Sequence, residues 1–132
     1  MRKILRQHHI SFKNAFAGLF WVIRTQPNFR VHFTCAAAAI WLGVYLHITA
    51  TEMMIIFFTI LLGLTGEMIN TAIESMTDLV TKEWRQEAKI AKDVSAGMML
   101  TIAIGAVGIA GYIFIPLFKI FDDPLYAGRF LS

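Results

Sequence analysis

Charge is scarce in this chain of 132 residues: Asp, Glu, Lys and Arg make up 16%, against 57% for hydrophobic residues. With a mean hydropathy of +0.61, the composition is too apolar for an ordinary soluble domain and indicates a membrane protein. Acid is missing from the first 51 residues altogether, Glu52 being the first. Cysteine is almost missing too. Cys35 stands alone in the apolar stretch 33–48, so it can form no intrachain disulfide and build no metal site by itself, and it reads as a packing residue. No Pro/Gly/Ser-rich linker divides the sequence, which is expected to form one domain over 1–132. The net charge of +3 comes without a dense basic run, so nucleic acid is not an expected partner. Nucleotide and hydrolase signatures are lacking as well: no G-x-x-x-x-G-K-[ST], no G-x-G-x-x-G, no H-E-x-x-H and no G-x-S-x-G. His8, His9, His32 and His47 show no metal-ligand spacing. A cleavable signal peptide is not expected, because Lys13 and Arg24 interrupt the apolar residues behind the basic start (Arg2, Lys3, Arg6).

Long uncharged runs are what the chain does have. A bilayer span needs about 20 mostly apolar residues. Three segments qualify: 31–51, 53–73 (uncharged as far as Gly66) and 94–118, with a tail over 119–132. The link between the first two is short enough to demand a hairpin turn. Lys and Arg set the orientation. Six precede the first span, none lies in the turn at 48–52, four lie in the 74–93 link and two in the tail. The N-terminus and the 74–93 link are therefore expected on the cytoplasmic side and the tail outside, as in a multi-pass membrane protein.

Residues 10–25 have a different pattern. Phe12, Phe16, Leu19 and Ile23 recur at helical spacing while Lys13, Asn14 and Arg24 lie elsewhere around the helix. That suits an amphipathic helix lying in the membrane interface, and Pro27 should terminate it. In the third span Gly97, Thr101, Gly105 and Gly108, with Gly111 nearby, are small residues of the kind that let helices approach closely in lipid. The expected fold is thus all-α: three transmembrane helices and an interfacial helix, self-associated, because three helices alone could hardly bury the polar residues described next.

Glu67, Asn70, Glu74 and Asp78 stand where the apolar run 53–66 ends. At roughly 100° per residue they fall within about 80° of one another on a helix. Charged groups at that depth are costly and usually face a protein interior at a functional site. Carboxylates are hard oxygen ligands suited to Mg²⁺, which also takes waters and phosphate oxygens. A carboxylate at a lipid boundary is also suited to general-base work, because desolvation favours proton uptake. Asn70 can hold a carboxylate or a hydroxyl in place. The competing reading is that Glu74 and Asp78 are merely solvated beyond the membrane edge. A second cluster, Lys89, Lys92 and Asp93, directly precedes the third span. Lysine there can neutralise phosphate, and Asp93 can ligate metal or hold the lysine, although snorkelling alone would account for Lys92.

The segment Glu67-Met-Ile-Asn70-Thr-Ala-Ile-Glu74, followed by Asp78, resembles the signature of the small prokaryotic diacylglycerol kinases and undecaprenol kinases. Ala88-Lys-Ile-Ala-Lys92-Asp93-Val-Ser-Ala-Gly97 is similar to that family's second block. Ala15-Phe-Ala-Gly18 and Asn28-Phe-Arg30-Val-His32 are similar to its weaker N-terminal blocks. The resemblance implies a homotrimer of three-span subunits, with composite active sites shared between protomers. It implies transfer of the γ-phosphate of MgATP to the hydroxyl of a membrane lipid without a P-loop. Carried over by position, Glu67 is the general base and Glu74 a metal ligand. Asn70, Lys92 and Asp93 are further active-site residues, Lys92 and Asp93 on the nucleotide, and Gly97 allows close approach. The family often has a second metal-binding glutamate where this chain has Gln26, whose amide oxygen can ligate Mg²⁺ without the negative charge. Diacylglycerol is the first expectation for the acceptor and undecaprenol the alternative. The Gln26 replacement also leaves open a catalytically silent scaffold of the same fold, against which stands the retention of Glu67, Asn70, Glu74, Asp78, Lys92 and Asp93 together.

Overall fold

The chain turns between Thr25 and Pro27, separating helix α1 (Arg2–Thr25) from α2 (Pro27–Tyr45). Proline at the first helical position has no N–H to leave unsatisfied, and its fixed φ suits the helix it opens. Gln26 caps that start in extended conformation, with no side-chain hydrogen bond of its own to the cap. A computed structural model describes the backbone of residues 2–121 and the side chains of 10–117. The remaining helices are α3 (Ala50–Val80) and α4 (Gln86–Phe121), and no strand occurs among the described residues. From residue 122 onward, the tail expected at 119–132 lies outside the described residues.

α1 begins at Arg2 rather than at residue 10, since nothing between Arg2 and Thr25 breaks a helix. It packs chiefly on α2. Val22 is buried there, while Phe12, Phe16, Phe20 and Trp21 are exposed. The helix therefore presents aromatic side chains that the other described residues leave uncovered.

The first span expected, 31–51, is not continuous helix. α2 stops at Tyr45 and α3 starts at Ala50, because the chain builds a tight helix stop between them. Ile48 N–H donates to the Gly43 carbonyl (3.1 Å) and His47 N–H to that of Val44 (3.2 Å). This is the paired hydrogen-bond pattern of a Schellman stop. His47 takes the left-handed position (φ 51°) that glycine usually fills, at a cost of about 1–2 kcal/mol. Gly43 belongs to the same device: a Cβ there would lie 2.8 Å from Ile48 Cδ1 and 3.0 Å from Met53 Cε. On the far side of the turn, Thr49 and Glu52 form a capping box. Glu52 N–H donates to Thr49 Oγ1 (3.3 Å), and the Glu52 carboxylate accepts from Thr49 N–H (2.8 Å). The first acid of the chain thus serves a helix start, where the dipole favours negative charge.

α3 and α4 pack against each other as a long hairpin, and α2 packs on α3. At 1.5 Å per residue, 31 residues of α3 reach about 46 Å, well beyond a hydrocarbon core of about 30 Å. The link expected at 74–93 therefore shrinks to the short connection 81–85, since no Gly or Pro stops α3 before Val80. α3 and α4 have the length and apolarity to cross a membrane. Only 17% and 11% of their most apolar windows are buried, so they are not core helices of a soluble domain. α2 carries Asn28, Arg30 and His32 near its start and falls short on apolarity. Near the 46–49 turn, Leu46, Ile56, Ile113 and Phe114 form the apolar core that joins α3 and α4 to the end of α2.

The small-residue face of α4 is not used within the chain. A Cβ on Gly97, Gly105 or Gly108 would meet nothing within 4 Å. The close approach of α3 to α4 is made instead at Gly66, where Ile102 Cδ1 would lie 2.6 Å and Met99 Sδ 3.1 Å from an added Cβ. Among the described residues, α4 is thus rotated so that Gly97, Gly105 and Gly108 face away from α3.

Candidate active site

The polar stripe of α3 is turned inward where α3 is still apolar. Glu67 is 3% exposed and Asn70 7%, while Met68 and Ile69 between them face out. Asn70 Nδ2 donates to Glu74 Oε1 at 3.0 Å, one turn along. Asn70 Oδ1 is buried without a hydrogen-bond partner. A buried acceptor left unmatched costs about 1–3 kcal/mol, and the described residues leave this oxygen without a partner. Glu74 itself is exposed, its carboxylate oriented by Asn70 but reachable from outside.

Further along, Asp78 meets the second cluster. Lys92 Nζ donates to Asp78 Oδ1 at 2.6 Å, tying α3 to α4 across the 81–85 connection. Lys89 pairs with Asp93 one turn apart on α4. The lysine that Asp93 holds is thus Lys89, and the acid that holds Lys92 is Asp78. Ser95 is buried at the same level and donates to the Lys92 carbonyl at 2.9 Å. Gln26 is half-buried at the α1–α2 junction.

The stripe foreseen in the sequence is therefore real as a surface of α3, with a burial gradient from Glu67 outward. Lys92 joins it through Asp78. Gly97 lies in the open on α4. Among the described residues no three His, Cys, Asp or Glu side chains converge as a metal cluster. The donor set nevertheless suits a hard cation: one carboxylate (Glu74) and one uncommitted amide oxygen (Asn70) stand a turn apart. Mg²⁺ ordinarily binds through one or two carboxylates and completes its shell with waters and phosphate oxygens.

Sequence reasoning missed two residues. Ser95 carried only its spacing of three from Lys92 as a signal. His32, on α2, brings Nε2 to 4.0 Å from Glu67 Oε2. It was legible only as the last residue of Asn28-Phe-Arg30-Val-His32, with nothing to say which acid it would face. Beside this pair a cavity of about 240 Å³ runs between α2, α3 and α4, lined by His32 and otherwise mostly by apolar residues such as Ala36, Ile60, Leu64 and Ile102.

Two long apolar helices, mostly uncovered, with a buried acid and amide where α3 passes from apolar to charged residues, are the features of a helical membrane protein. The chain belongs to the prokaryotic diacylglycerol kinase family, whose sequence profile matches residues 13–114. It is 39% identical over 108 residues to a diacylglycerol kinase of Synechocystis, covering 81% of this chain and 62% of that protein. It is 36% identical over 115 residues to an undecaprenol kinase of Bacillus subtilis, covering 87% of this chain and 94% of that one. The match thus spans somewhat under two thirds of the Synechocystis relative's length and nearly all of the Bacillus relative's.

Proposed function

We propose that this chain is an integral-membrane lipid kinase, moving the γ-phosphate of ATP to the hydroxyl of a membrane lipid. The observation that carries the reading is Glu67, a carboxylate 3% exposed on an apolar helix. A buried charge without a full set of partners is destabilising, and such intramembrane acids are functional by default. Lipid hydroxyls reach this level laterally from the bilayer, whereas nucleotide arrives from water beyond Glu74.

Phosphoryl transfer asks a protein mainly for positioning and charge neutralisation. The Glu67 carboxylate accepts the hydroxyl proton as the lipid oxygen attacks the γ-phosphorus and ADP leaves. Asn70 orients the Glu74 carboxylate, and Lys92, steered by Asp78, offers its ammonium to the nucleotide phosphates, with Asp93 and Gly97 beside it on α4. Mg²⁺, when bound, supplies charge neutralisation at the phosphates. Glu74 and the free Asn70 oxygen are the donors to hold it, with Gln26 as a weaker ligand whose amide no cap engages. The uncovered faces of α1 and α4 support a homotrimer, in which a neighbouring protomer would meet the glycine face and complete the site. On this reading α2 is a third span, short but about 28 Å long at 1.5 Å per residue. The protein sits in the bacterial inner membrane with its N-terminus cytoplasmic and its tail outside.

Diacylglycerol is the acceptor we put first, in line with the relative of higher identity. Undecaprenol is the second reading, favoured by the near end-to-end match to the Bacillus protein. The deciding experiment offers purified protein MgATP with each lipid separately in mixed micelles. Phosphorylated product with one of them establishes the kinase and its acceptor. No product with either, from an assembled trimer, would favour the silent scaffold that Gln26 left open.

A further inference from the structure

Resting on the reading of Glu67 as the base, we propose that His32 is a positioning residue for it, a role the α2 helix performs for α3. Among the described residues, His32 is the basic group that the structure brings to the Glu67 carboxylate, with Nε2 4.0 Å from Oε2. That is too long for a hydrogen bond, and it is the kind of gap that tightens in a catalytic complex, since apo contacts of catalytic groups are often long. Neutral imidazole carries a single N–H, on one nitrogen or the other. Carried on Nε2, it fixes which carboxylate oxygen is turned away from His32 and so toward an incoming hydroxyl.

The surroundings leave His32 no competing role. Near it, α3 and α4 offer the cavity side chains of Ile60, Leu64, Ile102 and Ala103, with no titratable group among the lining residues of either helix. On its own helix Cys35 lines the same cavity one turn on. One side of the imidazole thus faces the mostly apolar cavity, and among the described residues the acid it meets is Glu67. The side chain is partly exposed while Glu67 is not, so His32 stands between the carboxylate and the outside of the three-helix unit.

The test compares His32→Phe, which keeps a ring but no nitrogen, with His32→Gln, whose amide N–H can replace the imidazole donor. In phosphate transfer from MgATP, His32→Phe should lower kcat about 10- to 100-fold, the scale typical of a residue that orients a functional group rather than acting itself. KM for ATP and for lipid should stay within about twofold, and His32→Gln should recover most of the rate. Wild-type kcat in His32→Phe, or a raised lipid KM with kcat unchanged, would overturn the proposal. Glu67→Gln is measured alongside to separate the two ideas. If it retains turnover, the base assignment fails; if it is inactive while His32→Phe is fully active, only the role of His32 fails. The double variant should be no slower than Glu67→Gln alone, because His32 acts only through Glu67, and an additive loss would count against it. A readout independent of turnover completes the test: in histidine-¹⁵N-labelled protein the Nε2–H resonance of His32 should move on Glu67→Gln, and an unmoved resonance overturns the pairing.

Discussion

The two ends of the helical unit are built on opposite rules. At the 46–49 turn every local demand is met by the chain itself: the Schellman bonds from His47 and Ile48, the Thr49–Glu52 capping box, and a core of Leu46, Ile56, Ile113 and Phe114. Toward the 81–85 connection, polar groups are brought inward and left short of partners. Asn70 Oδ1 has none, Glu67 has a histidine at 4.0 Å, and Asp78 and Lys92 hold each other at the surface. One end is complete in a single chain, while the other, on the function proposed above, would be completed by substrate, cation or a neighbouring protomer. Stability is concentrated where the chemistry is not.

Variants at the two ends should therefore separate activity from stability. The largest effect is expected at Glu67→Gln, which is nearly isosteric and removes the proton acceptor. Turnover should fall by about 100-fold or more with the oligomer intact by size-exclusion chromatography, and wild-type rates would remove Glu67 as base. Phe114→Ala should do the reverse. It should destabilise the helix packing by about 3 kcal/mol or somewhat less, since the cavity penalty persists in lipid while the water-transfer part is reduced. SDS titration of the folded protein reads this loss, and kcat per folded molecule should be unchanged. Glu74→Ala should leave the fold alone and raise the Mg²⁺ needed for half-maximal rate by about tenfold, the scale of one weakened ligand. An unchanged magnesium dependence would count against its ligand role. The smallest change should be Thr49→Ala, which removes one cap at about 1 kcal/mol and is seen only as a slightly lower SDS midpoint. If Thr49→Ala lowered kcat instead, the separation of the two ends would be wrong.

Much of this was legible because it is local. Pro27 marks the break between α1 and α2 wherever the helices go, and the spacing 67–70–74–78 lies on one stripe of any α-helix. The uncharged runs mark α3 and most of α4. The helix bounds were less legible: 31–51 and 74–93 were expected as a span and a link. A Schellman stop with a histidine in the glycine position gives no sequence cue, and α3 runs on past the apolar stretch because backbone hydrogen bonds continue without an apolar face. The glycine face of α4 was legible as a face, but what it meets was not, because periodicity defines a stripe without saying what lies against it.

By itself, the sequence determined that this protein is helical and apolar and that it carries a carboxylate–amide stripe at the end of an apolar run, together with the family to which such a stripe belongs. These follow from composition and helical period, which act over a few residues. Tertiary structure alone decided that Glu67 is buried while Glu74 is not, that Lys92 holds Asp78 rather than Asp93, and that His32 is the base brought to Glu67 among the described residues. Each of those depends on how one helix is rotated and shifted along its neighbour, and that is set by side chains such as Gly66 against Ile102, far apart in sequence and in contact only after folding.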